Sequence, residues 1–134
     1  MNWREEIKNL EGWSFGDNAE MADELAQLVL ADKKTATSSL FAAYQDENEP
    51  ILQVGEKSFI KNSNGEPVCV IETKQVIVQK FKEADEDLAI AEGEGDLSLN
   101  YWRKAHINFF KKYNSDFNDD SQIVSEYFKV LHKF

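Results

Sequence analysis

The segment Lys33-Lys34-Thr35-Ala36-Thr37-Ser38-Ser39 holds the densest cluster of lysines and small hydroxyl side chains in the sequence. Lysine supplies positive charge, and serine or threonine supplies a hydroxyl that can cap a helix or act on a substrate. With the unpaired N–H groups of a helix N-terminus, such residues can form a pocket for an anion or a developing oxyanion. The alternative is that Thr37 or Ser38 only caps the next helix and the lysines are solvated. The segment lacks the glycines with which a P-loop wraps phosphates, and this excludes that motif.

The overall composition limits what this segment can bind. The chain has 134 residues, 42% of them hydrophobic, and a formal net charge of −10. A chain of this length can bury about two-thirds of its unfolded surface, so we expect residues 1–134 to form a single domain. The acidic charge disfavours indiscriminate polyanion binding, which needs many lysine and arginine contacts, but it permits a small positive cleft. No DNA-specific motif is present in the sequence.

The cysteine count and the hydropathy pattern indicate the cellular compartment of the protein. Cys69 is the single cysteine, so no disulfide can form within the chain, as is typical of proteins in a reducing cytoplasm. Residues 1–6 lack the apolar core of a signal peptide, and no run of about 18 apolar residues occurs. These observations predict a cytoplasmic protein without a membrane-spanning segment.

Helical periodicity is clearest in two segments. Residues 19–30 and 99–113 each carry apolar side chains at helical spacing, with polar side chains opposite. Asp17 and Glu20 have the spacing of a capping box before the first helix, and Asp96 or Ser98 is suited to cap the second. Shorter helices are predicted in two further segments, 3–11 (ended by Gly12) and 38–44.

Strand-like patterns lie between and after these helices. Asn62-Ser63-Asn64-Gly65 is a hairpin turn signal, so two or three antiparallel strands are expected around it. A long alternating segment near the C-terminus places Val124, Phe128 and Val130 on one side of a final strand and Ser125, Tyr127 and Lys129 on the other. The predicted strands cover 57–61, 68–71, 76–78 and 123–131.

An acidic segment, residues 82–96, separates the predicted strands from the second long helix. Seven aspartates and glutamates predict a solvated helix and loop. The segment lacks the alternation and the closing glutamate of a calcium-binding loop, which excludes that site. Gly93 and Gly95 flank Glu94, and this pattern predicts a tight turn that presents the Glu94 carboxylate.

Histidine and cysteine are too few for a convincing zinc site. His106 lies on the apolar stripe of the second long helix, which favours a hydrogen-bonded core histidine over a catalyst. His132 is near the C-terminus and distant from His106 in the sequence. We therefore expect no structural or catalytic metal and no cofactor.

Two segments carry a resemblance to a known family. Residues 28–37, Leu-Val-Leu-Ala-Asp-Lys-Lys-Thr-Ala-Thr, resemble the Gly-x-Lys-x-x-Thr signature that opens ASCH domains, with Asp32 in place of the usual glycine. Residues 91–96, Ala-Glu-Gly-Glu-Gly-Asp, followed by Trp102-Arg103 and His106, are similar to a second hallmark of the longer bacterial branch. The likeness extends over roughly residues 13–131.

The resemblance implies an α+β, PUA-like fold, a small, mostly antiparallel β-barrel with surrounding helices. Relatives in this superfamily bind RNA or modified bases in a cleft beside the barrel. The likeness would place Glu94 near Lys34 and Thr37 across that cleft.

An amidohydrolase is the first function that the resemblance implies. A small ASCH enzyme type removes the acetyl group from 4-acetylcytidine with a Lys, a Thr and a Glu, which match Lys34, Thr37 and Glu94. Thr37 would attack or position water, a desolvated Lys34 would take the proton, and Glu94 would shuttle a proton to the cytosine amine. Helix N–H groups near Ser38 would hold the oxyanion, and Lys33 would add charge for substrate binding. The alternative is an Lys34–Glu94 ion pair with a purely structural role.

Two other functions remain open. Some longer ASCH members resemble metal-independent ribonucleases, for which Tyr44 and Ser125 are the counterparts here, while the expected lysine between them has no match. A non-catalytic module would instead read a modified base or an RNA motif by stacking on Tyr44, Trp102 or Tyr127. The acidic net charge slightly favours a nucleoside over long RNA as the ligand.

Overall fold

A curled five-stranded sheet forms a half-barrel in the computed structural model, which describes residues 2–134 and leaves out Met1. The strand order is β1-β3-β4-β5-β2, and every neighbouring pair is antiparallel except the parallel pair β1–β3. This sheet and its helices confirm the expected α+β, mostly antiparallel PUA-like architecture. The strands are β1 (Glu11–Trp13), β2 (Ala36–Leu40), β3 (Lys57–Lys61), β4 (Pro67–Lys80) and β5 (Gln122–Lys133).

The two long helices are confirmed at the predicted bounds. A side-chain oxygen caps each of them: Asn18 accepts a hydrogen bond from the Met21 N–H, and Ser98 accepts one from the Tyr101 N–H. Capping by Asp17 was a wrong prediction, because Asp17 accepts hydrogen bonds from Lys112 and Tyr113 instead. The α-helices are α1 (Trp3–Glu6), α2 (Ala19–Leu30), α3 (Phe41–Asp46), α4 (Glu86–Glu92) and α5 (Leu99–Tyr113), and 3₁₀ turns cover Ile7–Asn9 and Phe81–Glu83.

The predicted helix over 38–44 is wrong in its first half. Ser38 to Leu40 belong to β2, in which Ser38 lies opposite Ser125 of β5, and α3 begins only at Phe41. Pairing along a whole strand outweighs the weak local preference of a few small side chains. No helix N-terminus therefore lies at Thr37 or Ser38, so neither residue caps a helix.

The predictions for the N-terminal segment and for β4 also need correction. Gly12 does not end a helix but lies in β1, beside Phe59 of β3. A Cβ at Gly12 would come within 2.3 Å of the Phe59 ring, so glycine makes room for this pairing. The turn predicted at 62–65 does connect an antiparallel hairpin, but the two strands expected after it form the single strand β4.

Both faces of β5 are covered in its first half. Ile123, Val124, Ser125 and Glu126 are all buried, so the expected alternation between two faces does not separate buried from exposed side chains there. Buried polar side chains need partners, and Glu126 accepts a hydrogen bond of 2.6 Å from the Thr73 hydroxyl. Among the described residues, no helix combines the length and apolar composition needed to cross a membrane.

The buried Glu126 carboxyl allows a stability prediction. Burial, with the charge of Glu56 adding to it, raises the pKa of Glu126 above its ordinary value. A carboxyl whose pKa is higher in the folded than in the unfolded state stabilises the fold below the unfolded-state pKa, where it is protonated. This contribution is lost as pH rises through the folded-state pKa. We expect Glu126→Gln to stabilise the protein by about 1 kcal/mol at pH 8 and to have little effect at pH 4. Thermal unfolding at both pH values checks this, and a destabilised variant at pH 8 would contradict it.

Candidate functional site

Lys34 follows the C-terminus of α2 and points into the protein. The Lys33 and Lys34 N–H groups both donate to the Leu28 carbonyl, which closes the end of the helix. Asp32 has a φ of 61°, the left-handed conformation that glycine adopts readily and aspartate tolerates. The Asp32 substitution in the motif therefore keeps the local turn that delivers Lys34.

The Lys34 side chain is only 1% exposed and is held by two carboxylates. Its Nζ lies 2.9 Å from Glu94 Oε2 and 3.2 Å from Glu92 Oε1, and it lies 3.2 Å from the Glu92 carbonyl oxygen. These three acceptors match the three N–H donors of an ammonium group. Two carboxylates thus compensate the buried charge of Lys34, with one negative charge in excess.

Glu92, at the end of α4, is the most connected side chain of the site. Its Oε1 faces Lys34 and lies 3.4 Å from His106 Nε2, while its Oε2 accepts hydrogen bonds from the Ser38 hydroxyl and the Trp102 indole N–H. Burial opposes ionisation, but the adjacent Lys34, His106 and Trp102 lower the pKa of the Glu92 carboxyl to about 2. Glu92 is therefore ionised at neutral pH.

A tight turn after α4 carries Glu94 to the same place. Gly93 ends α4 with a φ of 71°, and the Thr35 N–H donates to the Ala91 carbonyl at 2.7 Å. A Cβ at Gly93 would lie 2.1 Å from the Lys33 carbonyl oxygen. The close backbone approach at Gly93 brings two segments sixty residues apart into contact.

His106 projects from α5 against Glu92. Its Nδ1 lies 2.8 Å from the Trp102 carbonyl oxygen, and its ring stacks on Trp102 with centroids 4.3 Å apart. Burial alone would lower the pKa of His106, but the contact with the Glu92 carboxylate raises it above its ordinary value.

These side chains form the polar wall of an open pocket. The cavity has a volume of about 100 Å³ and is open to solvent at its mouth, so it is smaller than the ~300–1,000 Å³ of typical small-molecule sites. The rest of the lining is apolar and includes two aromatic rings. The polar wall is formed by Lys34, Thr37, Ser38, Glu92, Glu94 and His106, and the apolar wall by Phe15, Met21, Leu25, Ala105 and Phe109.

A family model for the ASCH domain matches residues 11–132. The chain belongs to the ASCH domain family. The ASCH domain has a PUA-like fold, which is generally linked to RNA binding.

Solved structures agree with this assignment. The ASCH domain from Lactobacillus crispatus JV V101 is 35% identical with a TM-score of 0.85, over 94% of this chain and 82% of that one. A protein from Enterococcus faecalis V583 is 30% identical with a TM-score of 0.86, over 96% of this chain and 85% of that one. A hypothetical protein with 17% identity and a TM-score of 0.56 shares the fold alone. No curated protein matches the sequence.

The ASCH fold brings four of the expected site residues together at the pocket wall, namely Lys34, Thr37, Ser38 and Glu94. Among residues 2–134, the Thr37 hydroxyl has no hydrogen-bond partner and is free to meet a ligand. Ser38 instead binds Glu92 and lies 2.8 Å from the Ser125 hydroxyl.

The other expected site residues lie outside the pocket. The Lys33 side chain is exposed to solvent, and Tyr44 belongs to α3, where its hydroxyl accepts a hydrogen bond from Ser39. Trp102 is buried and holds Glu92, and Ser125 is 0% exposed beneath Ser38. Trp102 and Ser125 therefore support the polar wall from behind.

Glu92 was not among the expected site residues. The acidic segment around it predicts solvated side chains, yet Glu92 is 1% exposed and joins the site. The sequence Glu92-Gly93-Glu94 was the signal that could have identified Glu92. Both carboxylates flank a glycine that permits a close approach of another backbone segment. His106 is hydrogen-bonded and largely buried as expected, and it also lines the pocket.

Two glutamates and a histidine of this ASCH domain are grouped as the ligands of a metal ion often are. Glu92, Glu94 and His106 each offer one ligand atom, and these atoms lie within 4.8 Å of one another. The Lys34 ammonium, however, contacts both carboxylates and already supplies the positive charge that a metal ion would bring to them. The donor set therefore fits an internal ion pair better than a divalent cation.

Proposed function

We propose that this ASCH domain is an amidohydrolase that removes the acetyl group from 4-acetylcytidine in the Lys34 pocket. The observation that carries the proposal is the 2.9 Å contact between Lys34 and Glu94 on the wall that also holds Thr37. A free hydroxyl, a carboxylate and an ammonium in one pocket are the groups that amide hydrolysis needs.

Thr37 is the nucleophile in this proposal. Its hydroxyl oxygen attacks the acetyl carbon while Glu94 takes the hydroxyl proton. The tetrahedral intermediate then collapses, and Glu94 returns that proton to the departing cytosine amine. Glu94 then takes a proton from a water molecule that attacks the Thr37 acetyl ester, and it returns this proton to the Thr37 oxygen as acetate forms.

Lys34 has a different role from the one expected of a desolvated base. Its charge is paired with two carboxylates, and its three N–H donors all have acceptors. Once Glu94 accepts the proton, its attraction for Lys34 weakens, and one Lys34 N–H can turn to the oxyanion. This role replaces the helix N–H groups near Ser38, which belong to a strand.

The apolar wall suits the pyrimidine ring. Phe109 offers aromatic surface, and bases stack on such side chains in a sequence-tolerant way. A single nucleoside also avoids the repulsion that the net charge of −10 imposes on long RNA.

Cytidine release from 4-acetylcytidine tests the proposal. We expect Glu94→Gln and Thr37→Val each to lower kcat/KM by at least about 100-fold, the usual size of a lost acid–base or nucleophilic group. Glu72→Gln is the matched control, because Glu72 is also ion-paired to a lysine and is similarly exposed (24% against 20%), yet it lies outside the pocket. No release by the wild-type protein, or equal loss in Glu72→Gln, would contradict the proposal.

A non-catalytic RNA-binding or modified-base-binding module is the second candidate. It is favoured by the full hydrogen bonding of Lys34, which leaves no spare N–H donor in the ligand-free pocket. Calorimetry would then detect binding of RNA or of a modified nucleoside without turnover. The Glu94→Gln variant would bind with the same affinity. The ribonuclease alternative has no comparable support, because Ser125 has no exposed surface and Tyr44 lies outside the pocket.

A further inference from the structure

Glu92 touches the polar groups of the pocket without itself being open to solvent. It contacts Lys34 and His106 through one oxygen and Ser38 and Trp102 through the other, and it is 1% exposed. A carboxylate has room for about four such contacts, so its capacity is filled. Glu92 therefore has no free position for a ligand and acts only through its neighbours.

The contacts of His106 favour its charged form. Nδ1 faces the Trp102 carbonyl oxygen at 2.8 Å, and Nε2 faces Glu92 Oε1 at 3.4 Å. Either neutral tautomer would leave one ring lone pair pointing at an oxygen acceptor, whereas an imidazolium donates to the Trp102 carbonyl and pairs electrostatically with the Glu92 carboxylate. The geometry thus pairs the His106 imidazolium with the Glu92 carboxylate.

The charged groups that face His106 come from three segments. Glu92 ends α4, Glu94 lies in the following turn, and Lys34 follows α2. On α5 itself the ring contacts aromatic side chains, Trp102 and Phe110. The four ionised groups have a net charge of zero, so the pocket wall is electrically balanced only while His106 is charged.

We propose that Glu92 is a positioning residue that holds the Lys34 ammonium and the His106 imidazolium against the pocket wall. Glu94, whose side chain is 20% exposed, is then the carboxylate left to meet the ligand. This inference rests on the proposed amidohydrolase function and assigns the division of labour between its two carboxylates.

The division follows from burial and contacts. Glu94 shares Lys34 with Glu92 but is open to the pocket, so its protonation state can change during a reaction. Glu92 is held by four partners, and protonating it would remove the negative charge with which Lys34 and His106 pair. A mobile proton therefore belongs on Glu94, while Glu92 keeps a fixed charge behind it.

Glu92→Gln tests the inference with two independent readouts. It removes the charge while keeping the shape, so we expect kcat for 4-acetylcytidine to fall about 10- to 100-fold with little change in KM, as for other groups that orient a reacting residue. The imidazole signals of His106, followed by NMR against pH, should titrate at lower pH than in the wild type. His132→Gln identifies which of the two histidines each signal belongs to.

Glu126→Gln is the matched control, since Glu126 is a second buried glutamate that lies outside the pocket. It should leave both kcat and the His106 titration unchanged. A Glu92→Gln variant with wild-type kcat, or one with an unchanged His106 titration, would overturn the positioning role and leave the proposed function standing. If the wild-type protein releases no cytidine, the proposed function fails, and the His106 titration alone then decides whether Glu92 holds the imidazolium.

His106→Gln probes the same pair if Glu92→Gln does not fold. Wild-type kcat/KM should decline as pH rises through the deprotonation of His106, and this alkaline decline should disappear in the variant. A wild-type profile that stays flat across that range, or a decline that persists in His106→Gln, would overturn the inference.

Discussion

Lys34→Met is expected to lower the free energy of unfolding by about 3–5 kcal/mol, because it leaves a buried carboxylate without its cation. Methionine fills a similar volume, so the loss reports mainly the charge rather than a cavity. Glu92, 1% exposed, loses its strongest compensating partner, and Glu94 loses its ion pair as well. Chemical denaturation followed by tryptophan fluorescence measures the change.

Two controls separate the buried ion pair from general effects of removing a lysine. Lys74→Met removes an exposed ion pair with Glu72 at 3.4 Å and should cost less than about 1 kcal/mol. The double variant Lys34→Met/Glu92→Gln removes both opposite charges and should recover part of the loss, as the coupling of a contacting pair requires. Equal stabilities of Lys34→Met and the wild type would show that the pair contributes nothing to folding.

Gly93→Ala is expected to destabilise the protein by about 3 kcal/mol, at the upper end of single substitutions. The added Cβ would lie 2.1 Å from the Lys33 carbonyl oxygen and 3.1 Å from the Lys34 Cα, both backbone atoms that cannot rotate away. The φ of 71° adds the cost of a left-handed alanine, about 1–2 kcal/mol. Relief of the clash would separate the Glu94 turn from Lys34, so binding in the pocket should weaken too.

Gly65→Ala provides the control for backbone conformation. Gly65, in the hairpin turn, has a φ of 78°, similar to that of Gly93, but a Cβ added there would have no atom within 4 Å. Its cost should therefore be the conformational one alone, about 1–2 kcal/mol. Denaturation midpoints of the two variants compare them directly. If both lose the same stability, the close approach at Gly93 has no energetic consequence.

Together these two expectations tie stability to the pocket. The Lys34 ion pairs and the Gly93 contact hold the same two chain segments together, and both lie directly behind Glu94. An ordered pocket needs such support, because reacting groups must keep their geometry without a ligand present. Substitutions at these two positions should therefore lower stability and ligand binding in parallel.

Local patterns in the sequence were enough to predict several parts of the fold. The apolar periods of α2 and α5 gave their bounds, because one face of each helix must be buried whatever it packs against. The turn at 62–65 was equally local, since Gly65 supplies a positive φ and the Asn62 side chain accepts from the Asn64 and Glu66 N–H groups. The nearness of Lys34 to Glu94 came from the family motifs, not from any local pattern.

Long-range pairing decided the rest. Ser38 and Ser39 are neutral in their local preference, and only the register with β5 makes them a strand. The sequence pattern predicted that Gly12 ends a helix. In the structure Gly12 lies in the sheet, because only a residue without a side chain fits beside Phe59. Glu92 looked like one of several solvated acids, and it became the centre of the site because folding placed Lys34, His106, Ser38 and Trp102 around it. A charge can be buried only where its partners converge, and that convergence is a property of the tertiary structure alone.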